Sequence, residues 1–396
     1  MAEKIVKKDW VSSFVLIGKP KIGQFTYDMD KQSTKSSWIF NKMNLDVDCG
    51  EYHGIIRASM MGGYSPDRES FIYVHGKDEN GDDDYKNSFQ IAWEDRLNES
   101  ILEEVGDQCF IKIKIEKTLD GKLFEKKFLS EYDAIKYLNE YLTNDMVVSV
   151  GGNLNYSFYE GKVVVQKNIK RITLRDDVEL PAGYKASFTQ SILVDGDSVS
   201  LTKDGVNAEK GTAYVDARVL DYLKEYKGIE VRGQFPFNKR FEYVMDLTNK
   251  DKCKTIVNNL FKSKNGVNQI TFEGEFVESG ATVIPTLEDL TEDVRQLVEW
   301  GVYTEEDAIK ECSISGNSER RMVLIKPHMK EVKKGDNKTK VPQVFMDRFT
   351  QEELILDCMT AANDDDDDDD GMPWGDDNGS SVSVDSDMDW LENIIG

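Results

Sequence analysis

Alternation of apolar and polar residues is the dominant pattern along this chain. Leu45, Val47 and Cys49 are separated by polar residues, and Phe89, Ile91 and Trp93 follow the same rule of every second residue. A period of two is typical of a strand with one buried face. The pattern therefore predicts a mainly β protein to which a few helices are added.

The pattern occurs twice. Tyr52-His-Gly-Ile55 resembles Tyr226-Lys-Gly-Ile229, and each lies between two alternating stretches. Next comes a matched strand, Phe89–Trp93 in the first copy and Phe241–Met245 in the second. Self-similarity of this kind indicates an internal duplication. On this alignment Trp93 is a core residue.

A helix is predicted at the same place in each copy. Ser130 and Thr248 each supply a hydroxyl at an N-cap position, with an Asp three residues later, and an apolar stripe follows. After each helix comes an alternating stretch that contains a glycine, Gly152 or Gly274. Glycine at that point fits a strongly bent barrel strand.

Each copy thus reads as three strands, a helix and two strands, which is the order of a five-stranded OB-like Greek-key barrel. We predict two tandem barrels, at residues 1–180 and 184–355. The first is decorated by two hairpins, and the second carries an acidic helical insertion at 286–310. A generic pair of β-meanders is the alternative.

Subtracting the predicted core faces leaves aromatic and basic side chains pointing outward. Bases stack on aromatic rings and phosphates pair with cations, so this combination suits single-stranded nucleic acid. The alternative for each aromatic residue is packing against a hairpin. The predicted nucleic-acid contacts are Arg57, Phe71, Tyr73, Lys112, Lys114, Lys167, Lys170, Arg171, Tyr214, Arg218, Arg232, Phe235, Phe237, Lys239, Arg240, Arg321 and Lys326.

The net charge of −24 is unevenly distributed. Residues 361–396 hold twelve Asp and one Glu without Lys or Arg, which leaves −11 for the rest of the chain. This balance excludes a basic protein that coats nucleic acid. The acidic segment cannot bury itself, so we predict a disordered tail over 360–396.

Several classes of site and location are not expected. Five scattered cysteines without a CxxC pair favour free thiols in a reducing compartment, and three histidines offer no second half of a zinc site. The sequence has no P-loop, GxGxxG, HExxH or GxSxG motif, although carboxylates from distant strands leave a nuclease open. It also shows neither a signal peptide nor an apolar stretch long enough to span a membrane. We therefore expect a cytoplasmic protein that is not an enzyme and holds no metal or cofactor.

The tail carries apolar residues at two places, which an inert solubility tail would lack. An unbroken run of Asp leads to Gly371-Met372-Pro373-Trp374, and the chain closes with Trp390-Leu391-Glu-Asn-Ile394-Ile395-Gly396. Acidic tethers with short apolar anchors are suited to docking into basic, apolar pockets of other proteins. The predicted partner-binding residues are Met372, Pro373, Trp374, Trp390, Leu391, Ile394 and Ile395.

The first of these anchors resembles the tail tip of bacterial and phage single-stranded-DNA-binding proteins, which pair OB folds with an acidic tail. Met372, Pro373 and Trp374 match the aliphatic, proline and aromatic positions of that tip. The tip departs from the family pattern in its interrupting Gly371 and in not ending the chain, so residues 390–395 are the second candidate anchor. Two barrels in one large acidic chain also resemble phage-encoded binding proteins of Gram-positive hosts.

The resemblance implies binding of single-stranded DNA during replication or recombination. It also implies recruitment of partner proteins through the tail, which competes with DNA for the basic groove. A non-enzymatic protein–protein interaction module, either a phage structural protein or an inhibitor that mimics DNA, is the alternative. The sequence leaves open the choice between DNA and RNA and the oligomeric state.

Overall fold

A computed structural model describes residues 5–177, 183–263, 266–279, 282–283, 287, 290–305, 308–309, 314–315, 319–334 and 337–361. The predicted acidic tail lies outside the described residues, apart from 360 and 361. The predicted anchors Met372, Pro373, Trp374, Trp390, Leu391, Ile394 and Ile395 therefore have no structural description.

Strands dominate the described chain, which confirms the prediction of a mainly β protein with a few helices. The strands before residue 180, here called the first repeat, are β1 (Ser12–Lys21), β2 (Tyr27–Gln32), β3 (Ile39–Asp48), β4 (Ile55–Tyr64), β5 (Phe71–Lys77), β6 (Asp83–Ala92), β7 (Ile111–Lys117), β8 (Leu123–Phe128), β9 (Val148–Tyr159) and β10 (Lys162–Leu174).

The strands after residue 184, here called the second repeat, are β11 (Lys185–Val194), β12 (Val206–Asn207), β13 (Thr212–Tyr226), β14 (Ile229–Val244), β15 (Val267–Ser279), β16 (Thr282–Val283), β17 (Ile314–Ser315), β18 (Glu319–Pro327), β19 (Met329–Lys334), β20 (Asn337–Pro342) and β21 (Val344–Phe349).

The helices are short. Those within the described residues are α1 (Glu99–Leu102), α2 (Glu131–Tyr141), α3 (Lys250–Ile256), α4 (Glu292–Glu299) and α5 (Asp357–Ala361). A π-helical turn, Val257–Phe261, continues α3. The 3₁₀ turns are Trp93–Asp95, Asp107–Cys109, Lys203–Gly205 and Glu352–Leu354.

The two repeats close the same circuit of strand pairs. In the first, β1 pairs with β3, β3 with β4, β4 with β10, β10 with β9, and β9 with β1. In the second, the circuit runs through β11, β13, β14, β18 and β15 and returns to β11. The third and fifth strands meet in parallel, at Ser59 opposite Asn168 and at Glu242 opposite Val323. Helix α2 or α3 precedes the fourth strand of each circuit.

The strands assigned from sequence differ from these circuits in two ways. Phe89–Trp93 does not match Phe241–Met245, because among the described strands β6 pairs with β5 alone, in a separate two-stranded sheet. Trp93 is not a core residue, since it begins a 3₁₀ turn and stacks on Tyr64 with ring centroids 5.0 Å apart. The alternating pattern also missed the first strand of each circuit, β1 and β11. Both strands do alternate at their starts, since Phe14 and Leu16 in β1 and Ala186 and Phe188 in β11 are buried while Val15 and Ser187 between them are half-buried.

The predicted positions of the turns, hairpins and helices agree more closely with the structure. Tyr52–Ile55 and Tyr226–Ile229 join the second strand to the third in both circuits, with φ of +77° at Gly54 and +81° at Gly228. The predicted hairpins are β5–β6 and β7–β8. Ser130 caps α2 by accepting a hydrogen bond from the Tyr132 amide, as predicted. The cap of α3 is Asn249 rather than Thr248, because the Asn249 side chain accepts from the Lys252 amide.

The repeats are joined edge to edge and share one hydrophobic core. Strand β1 pairs antiparallel with β11, so a single sheet runs from one repeat into the other. Beside this seam Phe158 packs against Phe235 and Phe237, with centroids 5.7 and 5.0 Å apart. The seam fixes the outer face of each repeat relative to the other.

Candidate nucleic-acid interface

A groove of about 300 Å³ lies on the outer face of the first repeat, across β3, β4 and β10. Alternation creates it, because Met43 and Leu45 point into the core while Lys42 and Asn44 point outward. We call this surface the repeat 1 groove; its lining residues are Lys42, Ser59, Met60, Met61, Glu131, Gln166, Asn168, Ile169 and Lys170.

A pair of stacked aromatic rings lies beside the repeat 1 groove. Trp38 and Phe40 have ring centroids 4.8 Å apart and planes within 19° of parallel, and both are half-buried. Phe40 is opposite Gly63, where an added Cβ would come within 2.8 Å of the Phe40 Cβ. The next position along the same face is Lys42 opposite Met61. The added Cβ would also lie 2.0 Å from the Ile39 carbonyl oxygen, so glycine at 63 allows β3 and β4 to approach closely beside Phe40. We call the Trp38–Phe40 stack the aromatic shelf.

Sequence reasoning missed this shelf. Trp38, just before β3, alternates with Phe40 and Lys42 in that strand, so the signal was present in the pattern. The alternating apolar stretch from Leu45 onward does not include these residues.

The cations around the groove have few carboxylate partners. Among the described residues, no carboxylate lies within ion-pair distance of Lys42 or Arg171. Lys170 sits at a bulge between Ile169 and Arg171, and it contacts the Glu131 carboxylate at 2.7 Å. Exposed ion pairs of this kind contribute only about 0–1 kcal/mol, so a phosphate can displace the carboxylate at little cost.

Arg57 lies on the same outer face, as predicted. Its Nε and Nη2 each donate to Asp46 at 2.7 Å, and this hydrogen bonding raises the pKa of Arg57. The second repeat holds the equivalent pair, with Arg240 Nε and Nη2 2.7 and 2.9 Å from Asp216. Register shows the equivalence, since Asp46 is opposite Arg57 and Asp216 is opposite Arg240.

The second repeat closes the face that the first repeat leaves open. Glu242 occupies the position of Ser59, since each faces the fifth strand of its own circuit. Arg321 donates two hydrogen bonds to Glu242 at 2.7 and 2.8 Å, and Thr212 donates a third at 2.8 Å. Burial raises the pKa of Glu242, but the bonds from Arg321 and Thr212 outweigh it and the net pKa is lowered. Arg321, which the sequence predicts as a nucleic-acid contact, therefore forms a nearly buried ion pair with Glu242.

Phe235 and Phe237 are not surface aromatics, so the prediction that they lie exposed in a loop is wrong. They lie within β14 rather than in a loop, and their side chains are 3% and 0% exposed. Both pack at the seam between the repeats against Phe158. Inward alternation on a long strand explains this, because β14 extends beyond its own circuit and packs against Phe158 of β9 in the first repeat.

Three predicted cations serve the seam or its edge. The Lys167 Nζ is nearly buried, 3.0 Å from a Glu278 oxygen and 4.6 Å from the centre of the Phe276 ring. Lys239 is half-buried nearby, and burial together with Lys167 lowers its pKa. Arg218 contacts Asp195 at 2.7 Å, and burial lowers the pKa of Arg218. All three side chains are therefore partly or largely buried at the seam or its edge.

The remaining predicted cations are exposed or half-exposed but paired locally. Lys114 contacts Glu125 at 2.7 Å and Lys326 contacts Glu273 at 3.3 Å. Lys112 is held by Asp107, and Arg232 by Glu230. The Arg240 guanidinium lies over the Tyr214 ring, with the guanidinium carbon 5.2 Å from the centre of that ring.

Phe71 and Tyr73 are exposed as predicted, at 43% and 76%. They lie on β5, in the separate β5–β6 sheet rather than beside the repeat 1 groove. A shallow depression of about 470 Å³ there is lined by Tyr73, Val74, His75, Tyr85, Ser88, Phe89 and Gln90. The structure therefore splits the predicted contacts among the groove, the hairpins and the seam.

No grouping of three metal-ligating side chains occurs within the described part of the chain. The helices described there are also too short or too polar to cross a lipid bilayer.

Comparison with known proteins gives two distant likenesses. A family model described as YorF matches residues 98–273, which takes in parts of both repeats. Two solved structures of the single-stranded DNA binding protein from Thermus aquaticus, the wild type and a deletion mutant, are each 12% identical to this chain with a TM-score of 0.29. Each alignment covers 68% of this chain, and it covers 86% of the wild-type chain and 88% of the mutant chain. A search of curated proteins finds no match.

Proposed function

We propose that this protein binds single-stranded DNA, without strong sequence preference, in the repeat 1 groove. The observation that carries the proposal is the Trp38–Phe40 stack, which adjoins a groove with Lys42 and Lys170 on its walls. Stacking contributes about 1–3 kcal/mol per base and tolerates any base, because every base has a flat face.

The strand pairing supports a binding role for this face. A five-stranded circuit whose third and fifth strands meet in parallel agrees with the OB-like barrel proposed for each repeat. OB folds bind oligonucleotides across strands two and three and the adjoining loops. In the first repeat these are β3 and β4, which carry the repeat 1 groove.

The two repeats have different roles in this proposal. Glu242 places a carboxylate in the middle of the second face, where it is bound by Arg321 and would repel a phosphate. Ser59 is neutral at the equivalent position and leaves the first face open. The first repeat therefore holds the DNA, and the second acts as its rigid support through the β1–β11 seam.

Replication and recombination proteins are the partners that we assign to the acidic tail, through one of its two apolar anchors. We place the protein in the cytoplasm, since the described cysteines are free thiols and suit a reducing compartment. In this proposal the protein performs no chemistry on DNA and acts by binding alone.

The test is a fluorescence anisotropy titration of labelled oligo-dT with the full chain and with the double variant Trp38→Ala, Phe40→Ala. Loss of one to two stacked bases predicts a roughly 10-fold or greater weakening of affinity. Trp300→Ala is the matched control, because Trp300 is 70% exposed on the turn after α4 and should leave affinity unchanged.

Circular dichroism of each variant verifies that it is folded. A full chain that ignores oligo-dT at low salt would contradict DNA binding itself. Equal affinity for the wild type and the double variant would contradict the placement of the site.

A further inference from the structure

Cys109 lies in a cluster with a histidine and a carboxylate that the proposed function does not use. Its Sγ is 3.3 Å from His75 Nδ1 and 3.8 Å from His75 Nε2, so Nδ1 is the nearer ring nitrogen. On the other side of the ring, His75 Nε2 is 3.0 Å from Asp83 Oδ1. We call these three residues the thiol cluster.

Backbone hydrogen bonds fix the position of the sulfur. The Gly106 amide donates to the His75 carbonyl oxygen at 2.8 Å, and the His75 amide donates to Cys109 Sγ at 3.4 Å. Glycine at 106 allows this close approach, because an added Cβ would lie 2.4 Å from Asp83 Oδ1 and 2.5 Å from His75 Cδ2. The turn that carries Cys109 is thereby held against β5.

Asp83 determines which nitrogen of His75 carries the proton. The Asp83 carboxylate accepts from Nε2, which leaves Nδ1 as the unprotonated nitrogen of the neutral ring. A hydrogen bond from the Gln108 amide at 3.1 Å is the main cause that lowers the pKa of Asp83, so this carboxylate is charged at neutral pH. Nδ1 is therefore placed to accept the thiol proton, and the His75 amide is placed to stabilise a negative sulfur.

The order of these groups favours proton transfer over metal binding. The sulfur and the carboxylate lie nearest to different nitrogens of one ring, and within the described ranges no three ligating side chains converge on one point. A nucleophile beside a base that a third group orients is the arrangement that activates a thiol.

Cys109 is also the most accessible cysteine among those that the structure describes. It is half-buried, and the side chains of His75 and Asp83 are 16% and 17% exposed. The other described cysteines are buried, namely Cys49, Cys253 and Cys358.

The thiol cluster adjoins an aromatic depression. His75 lines the depression of about 470 Å³ together with Tyr73 and Tyr85, whose residues are 76% and 68% exposed. The Tyr85 ring packs on the His75 ring with centroids 4.4 Å apart. A small molecule with flat groups can therefore lie beside the histidine that Cys109 contacts.

We propose that Cys109 is a reversible modification site that exchanges with small disulfides. The Cys109 thiol gives its proton to His75 Nδ1, and Sγ attacks one sulfur of the disulfide. The disulfide bond of the small molecule breaks, a mixed disulfide with Cys109 forms, and the second sulfur leaves as a thiolate that takes the proton from His75. Cys109 is oxidised and the leaving sulfur is reduced, so the disulfide itself is the oxidant. This inference does not depend on DNA binding.

The test treats the full chain at neutral pH with the symmetrical disulfide of thionitrobenzoate, which releases one coloured thiolate for each thiol that it modifies. We expect a fast phase of release that Cys109→Ser removes, and mass spectrometry of the digested protein should find the label on Cys109. The Cys109→Ser variant is required because Cys312 lies outside the described residues.

His75→Gln and Asp83→Asn should each slow the modification of Cys109 by about 10-fold or more, because a positioned base contributes on the order of 10²–10⁴ to a rate. Asp83→Glu keeps the carboxylate and should lie much closer to the wild type than Asp83→Asn does. Asp82→Asn is the matched control, since Asp82 is the neighbouring exposed carboxylate, and it should leave the rate unchanged.

Unfolding cannot imitate this result. A chain that lost its fold would expose all five cysteines and release more thiolate, faster, instead of slowing. Equal rates of Cys109 modification in the wild type and in His75→Gln would overturn the inference, as would a wild type in which Cys109 stays unlabelled.

Discussion

Phe14 lies directly opposite Phe188 where β1 of the first repeat pairs with β11 of the second. On its other side each phenylalanine faces a glycine, Gly152 for Phe14 and Gly274 for Phe188. The same residue of each circuit therefore meets its own counterpart at the seam. This is the isologous arrangement of a twofold dimer, built here within one chain.

The paired glycines give the first prediction. A Cβ at Gly152 would lie 1.9 Å from the Asn168 carbonyl oxygen, whereas one at Gly23 would meet nothing within 4 Å. Because the obstructing atom is backbone, we expect Gly152→Ala to lower the free energy of unfolding by about 1–3 kcal/mol or more, and Gly23→Ala to change it little. Urea denaturation measures both. Equal midpoints for the two variants would refute the steric role.

Phe237 gives a second prediction, which separates the role of the seam from that of the proposed DNA site. Its side chain is fully buried beside Phe158, so Phe237→Ala should cost about 3–5 kcal/mol of stability through the cavity it leaves. The exposed Tyr222 on the adjoining strand is the control, and Tyr222→Ala should fall within about 0.5 kcal/mol of the wild type. Phe237→Ala protein that is still folded should keep its affinity for oligo-dT. A loss of affinity without a loss of stability would show that Phe237 contacts the oligonucleotide.

Copying one residue of the second repeat's face into the first repeat gives a third prediction. Ser59→Glu copies Glu242 of the second repeat into the repeat 1 groove, where the new carboxylate would repel phosphates and engage Lys42 and Lys170. We expect affinity for oligo-dT to fall by about 10-fold or more. Ser59→Gln, of the same size but uncharged, is the control and should fall much less in the same anisotropy titration. Equal effects of Glu and Gln would show that bulk, not charge, governs this position.

Asp107 gives a prediction for pH. Hydrogen bonds from Lys112 and then Lys127 lower the pKa of Asp107 from 3.8 to about 2. Because the folded pKa lies below the unfolded one, these pairs stabilise the fold above about pH 4, and that stabilisation is lost as the pH falls towards 2.

Asp107→Asn should therefore lower stability at pH 6 slightly and flatten its dependence on pH between 4 and 2. Urea denaturation at a series of pH values measures this dependence, with Asp82→Asn as the control, because Asp82 is exposed in the turn between β5 and β6. An unchanged pH profile in Asp107→Asn would show that the ion pairs contribute nothing to stability.

Local sequence rules determined the type and position of many elements. Alternation gave strands, the Tyr-x-Gly-Ile repeats marked the turn between the second and third strands, and Ser130 marked the start of α2. These features depend on contacts within a few residues, such as a cap or a positive φ at Gly54 and Gly228. For that reason a sequence pattern predicts them well.

Which of the predicted contact residues are exposed was decided by the tertiary structure alone. Arg57, Arg171 and Lys170 were predicted as contacts and do lie on the open face. Phe237 was predicted as a surface aromatic, but it is buried because β14 packs against β9. Arg321 was predicted as an available cation, but the pairing of β18 with β14 brings it to the Glu242 carboxylate. The sequence by itself determined that the chain is a mainly β protein in which one pattern occurs twice, because period and capping are local properties. Burial and charge pairing join residues far apart along the chain, so only the tertiary structure could distinguish the open face of the first repeat from the closed face of the second.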